Sequence, residues 1–260
     1  MQIGGRDVGT VLRAPLQPGH RRALATMPRV YRRRDLPEVT RRFLSGRGAY
    51  PWAPSVRTPV GIVRPQLDRH DDLLTVNEIF ARRDYEAPET LRVAVDVGAN
   101  IGIASLYFLT RNATSKVYCV EPDAKNIARL PRTLAGFEGR YELQEVAAAA
   151  EDGEATFYVE ASGRYGGFEQ GWKSESITVP TRSFASLLDD VLTREERIDV
   201  LKVDTEGSEE ALVSSIPAHQ LDRIDRIYYE TDDSAPFHED RFRHRFDCQT
   251  NALIRHGLAA

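Results

Sequence analysis

From residue 91 onward, short apolar runs alternate with stretches of helical periodicity. Residues 92–97 (RVAVDV) form a first apolar strand, and residues 101–110 follow with helical spacing. A second strand at 116–121 (KVYCVE) leads into a helix over 123–134, and residues 141–147 form a third strand. Residues 154–160 and 176–180 read as an antiparallel excursion around a glycine-rich loop at 162–171. A helix at 184–192, a buried strand at 198–204 (IDVLKVD), a helix at 208–215 and a strand at 223–230 (RIDRIYYE) come next, with a helix over 237–256. Strands so uniformly apolar, each followed by a helix, predict a mostly parallel α/β sheet covered on both faces. Ligands of such Rossmann-like sheets bind outside the carboxyl ends of the strands, near the point where strand order reverses.

The first 70 residues lack this alternation. Prolines at 15, 18, 28, 51, 54, 59 and 65 argue against any long regular element, leaving a helical patch at 36–44 in an irregular cap. Residues 71–83 (DDLLTVNEIFARR) then place Leu73, Val76, Ile79 and Phe80 on one helical face behind an acidic first turn. The chain therefore divides into an arginine-rich arm with one amphipathic helix, residues 1–90, and a ligand-binding domain, residues 91–260.

Charge sharpens this division. Residues 1–47 hold 11 arginines and 3 acidic residues, a local balance of +8, so the rest of the chain carries −12 of the net −4. An anionic partner at Arg32, Arg33 and Arg34 is one reading; a solvated surface in a chain with only four lysines is the other. No apolar run approaches the roughly 20 residues that span a bilayer, and no signal-peptide pattern opens the chain, so a cytoplasmic protein with no membrane partner is expected. Two cysteines make no disulfide framework, and Cys119 lies in mid-strand as a small buried thiol.

The candidate chemistry begins at the end of the first strand. Asp96 closes it, and Gly98, Ala99, Asn100, Ile101 and Gly102 form the turn into the helix. Gly98 allows close backbone approach to a ligand and Gly102 allows tight helix–strand contact, while the helix start offers unpaired amides to an acidic group. Asn100 occupies the second glycine of a dinucleotide fingerprint, and no phosphate-loop motif is present. The turn suits a nucleoside ligand without a pyrophosphate, such as S-adenosylmethionine. Glu121 ends the second strand 23 residues after Gly98, where a carboxylate accepts hydrogen bonds from a ribose diol. Pro122, Asp123 and Asn126 follow it; Asp123 reads equally as a helix N-cap. Ala147 lies in a small-residue segment, 146–149, that leaves room for an adenine ring.

These residues resemble the FkbM family of S-adenosylmethionine-dependent methyltransferases. DVGANIG at 96–102, VEPDAKN at 120–126 and IDVLKVDTEGSE at 198–209 carry the likeness, with weaker echoes at 77–85 and 228–230. The resemblance implies a class I methyltransferase fold and O-methylation of a small molecule, often a sugar or polyketide hydroxyl. Two departures stand out. The family's T-L-D triplet is replaced by Ser183, Phe184 and Ala185, and the two last strands of the class I sheet find no place before residue 260, which predicts a shortened C-terminal end. An unprotected sheet edge would follow, to be covered by the arm, another segment or a second subunit in a homo-oligomer.

Methyl transfer needs an aligned acceptor and, for a hydroxyl, a group that takes its proton. Asp204 and Glu206 open the loop after the fourth strand, and Lys202 shares a strand face with Asp204. They form either a catalytic set, in which a carboxylate orients or deprotonates the acceptor while Lys202 tunes it, or a buried ion-pair network, with Glu209, that fixes the turn at Gly207. Asp204 or Glu206 with Glu230 and Asp232 would suit a divalent ion such as Mg²⁺, although no residue is assigned as a metal ligand. His70, His238 and His244 are further bases outside these blocks. Asn77, Glu78 and Tyr85 are candidates for the ligand border, and Tyr165 and Phe168 of the glycine-rich loop, with nearby Trp172, for closing over the acceptor. A nicotinamide oxidoreductase is opposed by Asn100. A non-catalytic protein retaining a degenerate methyltransferase core draws on Ala185 and the short C-terminus. Nucleic acid is supported only by the arginine-rich arm, with no base-methylation motif present.

Overall fold

The computed structural model describes residues 18–160, 166–170 and 175–258, with the backbone of residues 2–3 and 6–7. Half of the glycine-rich loop, residues 162–165 (Tyr165 among them) and 171, lies outside the described residues, as does the nearby Trp172. The chain forms two compact units, Met1–Glu86 and Ala87–Ala260.

The second unit is built on a seven-stranded sheet. Its first strand, β3 (Val93–Val97), is buried at every position, as a central parallel strand covered on both faces must be. To one side lie β4 (Lys116–Val120) and β5 (Tyr141–Gln144); to the other lie β10 (Val200–Val203) and β11 (Arg226–Glu230), all parallel. Because β4 and β10 flank β3, the connections leaving the sheet diverge at the carboxyl ends of β3 and β10, which opens a crevice there.

The C-terminal end departs from the sequence reading. Residues 237–256 contain no helix but two strands, β12 (Phe242–Asp247) and β13 (Thr250–Arg255). β13 pairs antiparallel with both β11 and β12, so the seven strands run in the order β12-β13-β11-β10-β3-β4-β5. Ranked along the chain, this is 3-2-1-4-5-7-6, the full class I methyltransferase sheet with its reversed last strand. The expected shortening is thereby overturned, and β13 covers the edge of β11. Cys248 and Gln249 join the strands with φ of 52° and 67°, a two-residue turn that asks for left-handed backbone at both positions. Neither residue is the glycine or asparagine that usually announces such a turn, so the hairpin left no local mark.

Helices cover the sheet as the periodicity predicts. In α4 (Ile103–Leu109) every residue is buried, and α7 (Phe184–Arg194) buries Phe184, Leu187, Leu188, Val191 and Leu192 at the spacing of one helical face. The helix expected over 123–134 is two short ones, α5 (Ala124–Ile127) and α6 (Leu130–Thr133), because Pro131 can start a helix but not continue one. A smaller four-stranded sheet follows β5. In it β6 (Ala147–Ala149) pairs parallel with β9 (Glu175–Ser183), β9 antiparallel with β7 (Gly153–Val159), and β7 with β8 (Gly166–Gly167). The antiparallel excursion is therefore anchored on the strand that follows β5. The family departure at Ser183, Phe184 and Ala185 is absorbed locally: the Ser183 amide donates to Asp152 Oδ1 at 2.7 Å, and its hydroxyl caps α7 by accepting from the Ser186 amide at 3.5 Å.

In the first unit, α1 (Pro18–Val30) runs 13 residues, longer than the proline pattern allowed. Its prolines fall at the first residue and in the last turn, leaving a proline-free interior. The unit continues through α2 (Leu36–Ser45), a hairpin of β1 (Val56–Thr58) and β2 (Gly61–Val63), and α3 (His70–Val76), which widens into a π-helical turn over Asn77–Arg82. Arg42 is buried here, bonded to Glu38 and to the Ala49 carbonyl with its guanidinium over Tyr50 and Trp52, so one arginine of the basic arm is core material. Asn77 is also buried: it accepts from Tyr31 Oη at 2.9 Å and donates to the Leu73 carbonyl at 2.9 Å. No helix among the described residues is long and apolar enough to cross a membrane.

Candidate active site

The turn after β3 is stitched to its neighbours by its own amides. Gly98 and Ala99 donate to the Val120 carbonyl at 2.9 and 3.0 Å, Asn100 to Glu121 Oε2 at 2.8 Å, Ile101 to Asn100 Oδ1 at 2.7 Å, and Gly102 to the Ala99 carbonyl at 2.8 Å. The amides of residues 98–102, in the turn that precedes α4, thus all have protein acceptors. Gly98, at φ 75°, is demanded by protein rather than ligand, since a Cβ there would lie 1.7 Å from the Asp204 carbonyl oxygen. Gly102, at φ 85°, would bring a Cβ to 3.1 Å from Leu130 Cγ, so it serves the contact of α4 with α6. Asn100 holds φ 51°, a left-handed conformation that asparagine tolerates better than other side-chain-bearing residues.

Glu121 is the carboxylate of the second strand end. It is 5% exposed; Oε2 accepts from the Asn100 amide, and Oε1 from the Asp123 amide at 3.0 Å and Asn126 Nδ2 at 3.3 Å. Burial pushes its carboxyl up to about 7, against the opposing pull of these donors. With one donor on Oε2, a lone pair remains for a further hydroxyl. Asp123 takes the N-cap of α5, accepting from the Lys125 amide at 2.9 Å.

The fourth strand end is organised by charge. Lys202 is 2% exposed, and its ammonium lies 3.0 Å from Asp96 Oδ1, close enough to pair but not aligned as a hydrogen bond. It donates to the Gly98 carbonyl at 2.9 Å and pairs with Asp204 Oδ2 at 3.3 Å. Burial works against its charge, but Asp96 and Asp204 more than compensate and hold its pKa above the usual lysine value. Asp96, wholly buried, accepts from Ser105 Oγ at 2.6 Å. Beyond Asp204 the loop is fixed by Glu209 at the start of α8 (Glu209–Ser214), whose carboxylate accepts from the amides of Thr205 at 2.6 Å and Gly207 at 2.8 Å.

The crevice, about 570 Å³ with the solvent space at its mouth included, lies at the ends of β3, β4 and β10. Of the residues that the sequence marked for a cofactor, Gly98, Asn100, Glu121, Pro122, Asp123 and Ala147 line it; Asp96 and Gly102 do not, being committed to the lysine clamp and the α4–α6 contact. Asp204 and Glu206 of the catalytic set line it, whereas Lys202 is held beneath by Asp96 and Gly98. Phe168, Val146 and Ala148 line it as well, as the sequence suggested, and Phe157 and Thr205 join the lining unanticipated. Phe157 stood in the sequence as one aromatic of an ordinary alternating strand, with no signal of a ligand role. His238 bonds the Val213 carbonyl and His244 bonds Asn251, neither on the crevice. Among the described residues, no group of three or more His, Cys, Asp or Glu side chains is placed to hold a metal ion.

A complete 3-2-1-4-5-7-6 sheet with a crevice at the ends of its first, second and fourth strands defines a class I methyltransferase fold. Residues 96–249 match the methyltransferase FkbM domain, more than half of the chain, and the chain belongs to that family. It is similar to the AMB antimetabolite synthetase AmbE of Pseudomonas aeruginosa, with 25% identity over an alignment of 221 residues that covers 70% of this chain and 10% of that protein. The chain thus spans about a tenth of the length of that relative. Among solved structures it is similar to a methyltransferase from Geobacter sulfurreducens, with 15% identity, 74% of this chain and 82% of that one covered, and a TM-score of 0.39. It is also similar to M. capricolum TrmK in complex with S-adenosyl-homocysteine, with 11% identity, 69% and 66% covered, and a TM-score of 0.37.

Proposed function

We propose that this protein is an S-adenosylmethionine-dependent methyltransferase acting on a hydroxyl of a small molecule. The observation that carries the reading is Glu121, a buried carboxylate at the end of β4 that neutral N–H groups hold in place with acceptor capacity left on the crevice side. Such a group suits a ribose hydroxyl, a neutral donor whose hydrogen bonds a carboxylate strengthens. Asn100 holds that carboxylate from the turn side, and the small residues Val146, Ala147 and Ala148 leave width for a flat base. S-adenosylmethionine, when bound, supplies a methyl group already activated on a sulfonium sulfur.

The remaining work falls to the β10 end. Asp204 and Glu206 would orient the acceptor hydroxyl, and one of them would take its proton at a carboxylate oxygen. Lys202 acts as a positioning residue: it fixes Asp204 and the Gly98 carbonyl relative to one another and touches no substrate. The acceptor class, a sugar or polyketide-type hydroxyl, follows from the family resemblance alone.

Calorimetric titration with S-adenosylhomocysteine and with NAD tests the cofactor assignment. Binding of the first and not the second supports it, and the reverse overturns it. Transfer of labelled methyl groups to a panel of sugar and polyketide hydroxyls tests the acceptor. If Asp204→Asn and Glu206→Gln both keep near-normal turnover, the proton-handling role fails.

A further inference from the structure

The inserted sheet contributes an aromatic wall to the crevice. Phe157 of β7 and Phe168, just after β8, both line it, with ring centroids 5.7 Å apart and planes at 90°. Phe157 is buried with Ala147, Val159 and Val179, and Phe168 packs against that group while staying partly exposed. Gly166 makes the arrangement sterically possible: a Cβ there would meet Phe157 Cε1 at 2.6 Å, so a side chain at 166 would displace the ring. An edge-to-face pair uses at most one face of each ring, which leaves a flat face of Phe168 outside the pair.

The position of this wall selects what it contacts. Within the large sheet, β10 lies on one side of β3 and β4, and β5 on the other, with β6 following β5. Asp204 and Glu206 therefore belong to one end of the crevice, and Ala147 with its aromatic neighbours to the other. A salt bridge of 2.7 Å from Lys125, just after the N-cap of α5, to Glu175 at the start of β9 brings the inserted sheet to the Glu121 side. The aromatic wall is thus next to the ribose acceptor and away from the acceptor hydroxyl's carboxylates.

We propose that Phe168 forms the stacking face for the heteroaromatic base of the nucleoside cofactor, with Phe157 edge-on behind it and Gly166 as the spacer that seats the pair. This rests on the S-adenosylmethionine reading above, and assigns its base contact to an insertion rather than to the common sheet. Phe168 is in this account a residue that sets cofactor affinity, not one that handles the methyl group.

The test compares two ligands that differ only in the base. S-adenosylhomocysteine and S-ribosylhomocysteine, which lacks adenine, are titrated calorimetrically into wild type, Phe168→Ala and Phe168→Trp. Loss of one stacking face weakens S-adenosylhomocysteine binding roughly 5- to 100-fold in Phe168→Ala. The same variant should keep S-ribosylhomocysteine affinity within about twofold, and Phe168→Trp should restore the adenosyl ligand because it offers an equivalent face. Unchanged S-adenosylhomocysteine binding in Phe168→Ala overturns the proposal, as does an equal loss for both ligands, which would mark a general collapse of the crevice. A wild type that binds S-ribosylhomocysteine as tightly as S-adenosylhomocysteine overturns it too. A wild type that binds neither fails earlier, at the cofactor assignment itself.

Discussion

The ends of β4 and β10 each present carboxylates to the same crevice, yet they are built on opposite principles. At β4, Glu121 is buried among N–H donors and makes no ion pair among the described residues. At β10, Asp204 stands beside a buried lysine that also neutralises Asp96. A buried charge held by neutral donors keeps an appetite for further donors, whereas one balanced by a cation has already met its strongest partner. On the function proposed above, the first end is left open to the cofactor, while at the second the Lys202 clamp holds two strands and a turn in register and so sets the place of Asp204.

The largest expected effect breaks the β10 clamp. Lys202→Met leaves Asp96 buried without its cation, at a cost of about 3–5 kcal/mol in denaturant unfolding. A change below about 1 kcal/mol would show that the clamp is not what fixes this end. Gly98→Ala attacks the same joint through the backbone, adding a Cβ against the Asp204 carbonyl at a left-handed φ, and should cost about 3 kcal/mol.

The β4 end predicts a pH signature with a defined sign. The Glu121 carboxyl is raised from 4.5 to about 7, so the folded state binds its proton where the unfolded state has released it. Its contribution to stability is then most favourable below about pH 4.5 and is lost as pH rises through about 7, up to about 3 kcal/mol in all. Glu121→Gln should remove that slope, which a comparison of unfolding free energies at pH 5 and pH 8 would reveal. Because a ribose hydroxyl prefers the ionised carboxylate, cofactor affinity should rise over the same interval. At the small end, Lys125→Ala breaks an exposed pair and should change stability by less than about 1 kcal/mol.

The sequence exposed the parts whose physics is local. The largely apolar β3, β4 and β10, the glycines at 98 and 102, and a glutamate just after β4 were all legible, because burial on both faces and left-handed turns restrict residue choice position by position. What escaped depended on partners distant in the chain. The need for glycine at 98 comes from the Asp204 carbonyl, more than a hundred residues away. The β12–β13 hairpin rests on Cys248 and Gln249 adopting positive φ, which the surrounding pairing imposes against their own preference. Phe157 gained its place on the crevice only because the inserted sheet folds back onto Ala147. The sequence places Lys202 on one strand face with Asp204, but its contacts with Asp96 and the Gly98 carbonyl became visible only in three dimensions.

The proposal separates a carboxylate kept for the cofactor, Glu121, from one that holds the scaffold, Glu209, and matched substitutions at the two positions test it. Both are 5% exposed, and both accept backbone amides beside the crevice. Calorimetric titration of S-adenosylhomocysteine into Glu121→Gln and Glu209→Gln should give a roughly 10- to 100-fold loss of affinity for the first and a change within about threefold for the second. Equal losses, or a larger loss at Glu209, would contradict the assignment of the β4 end as the cofactor's anchor.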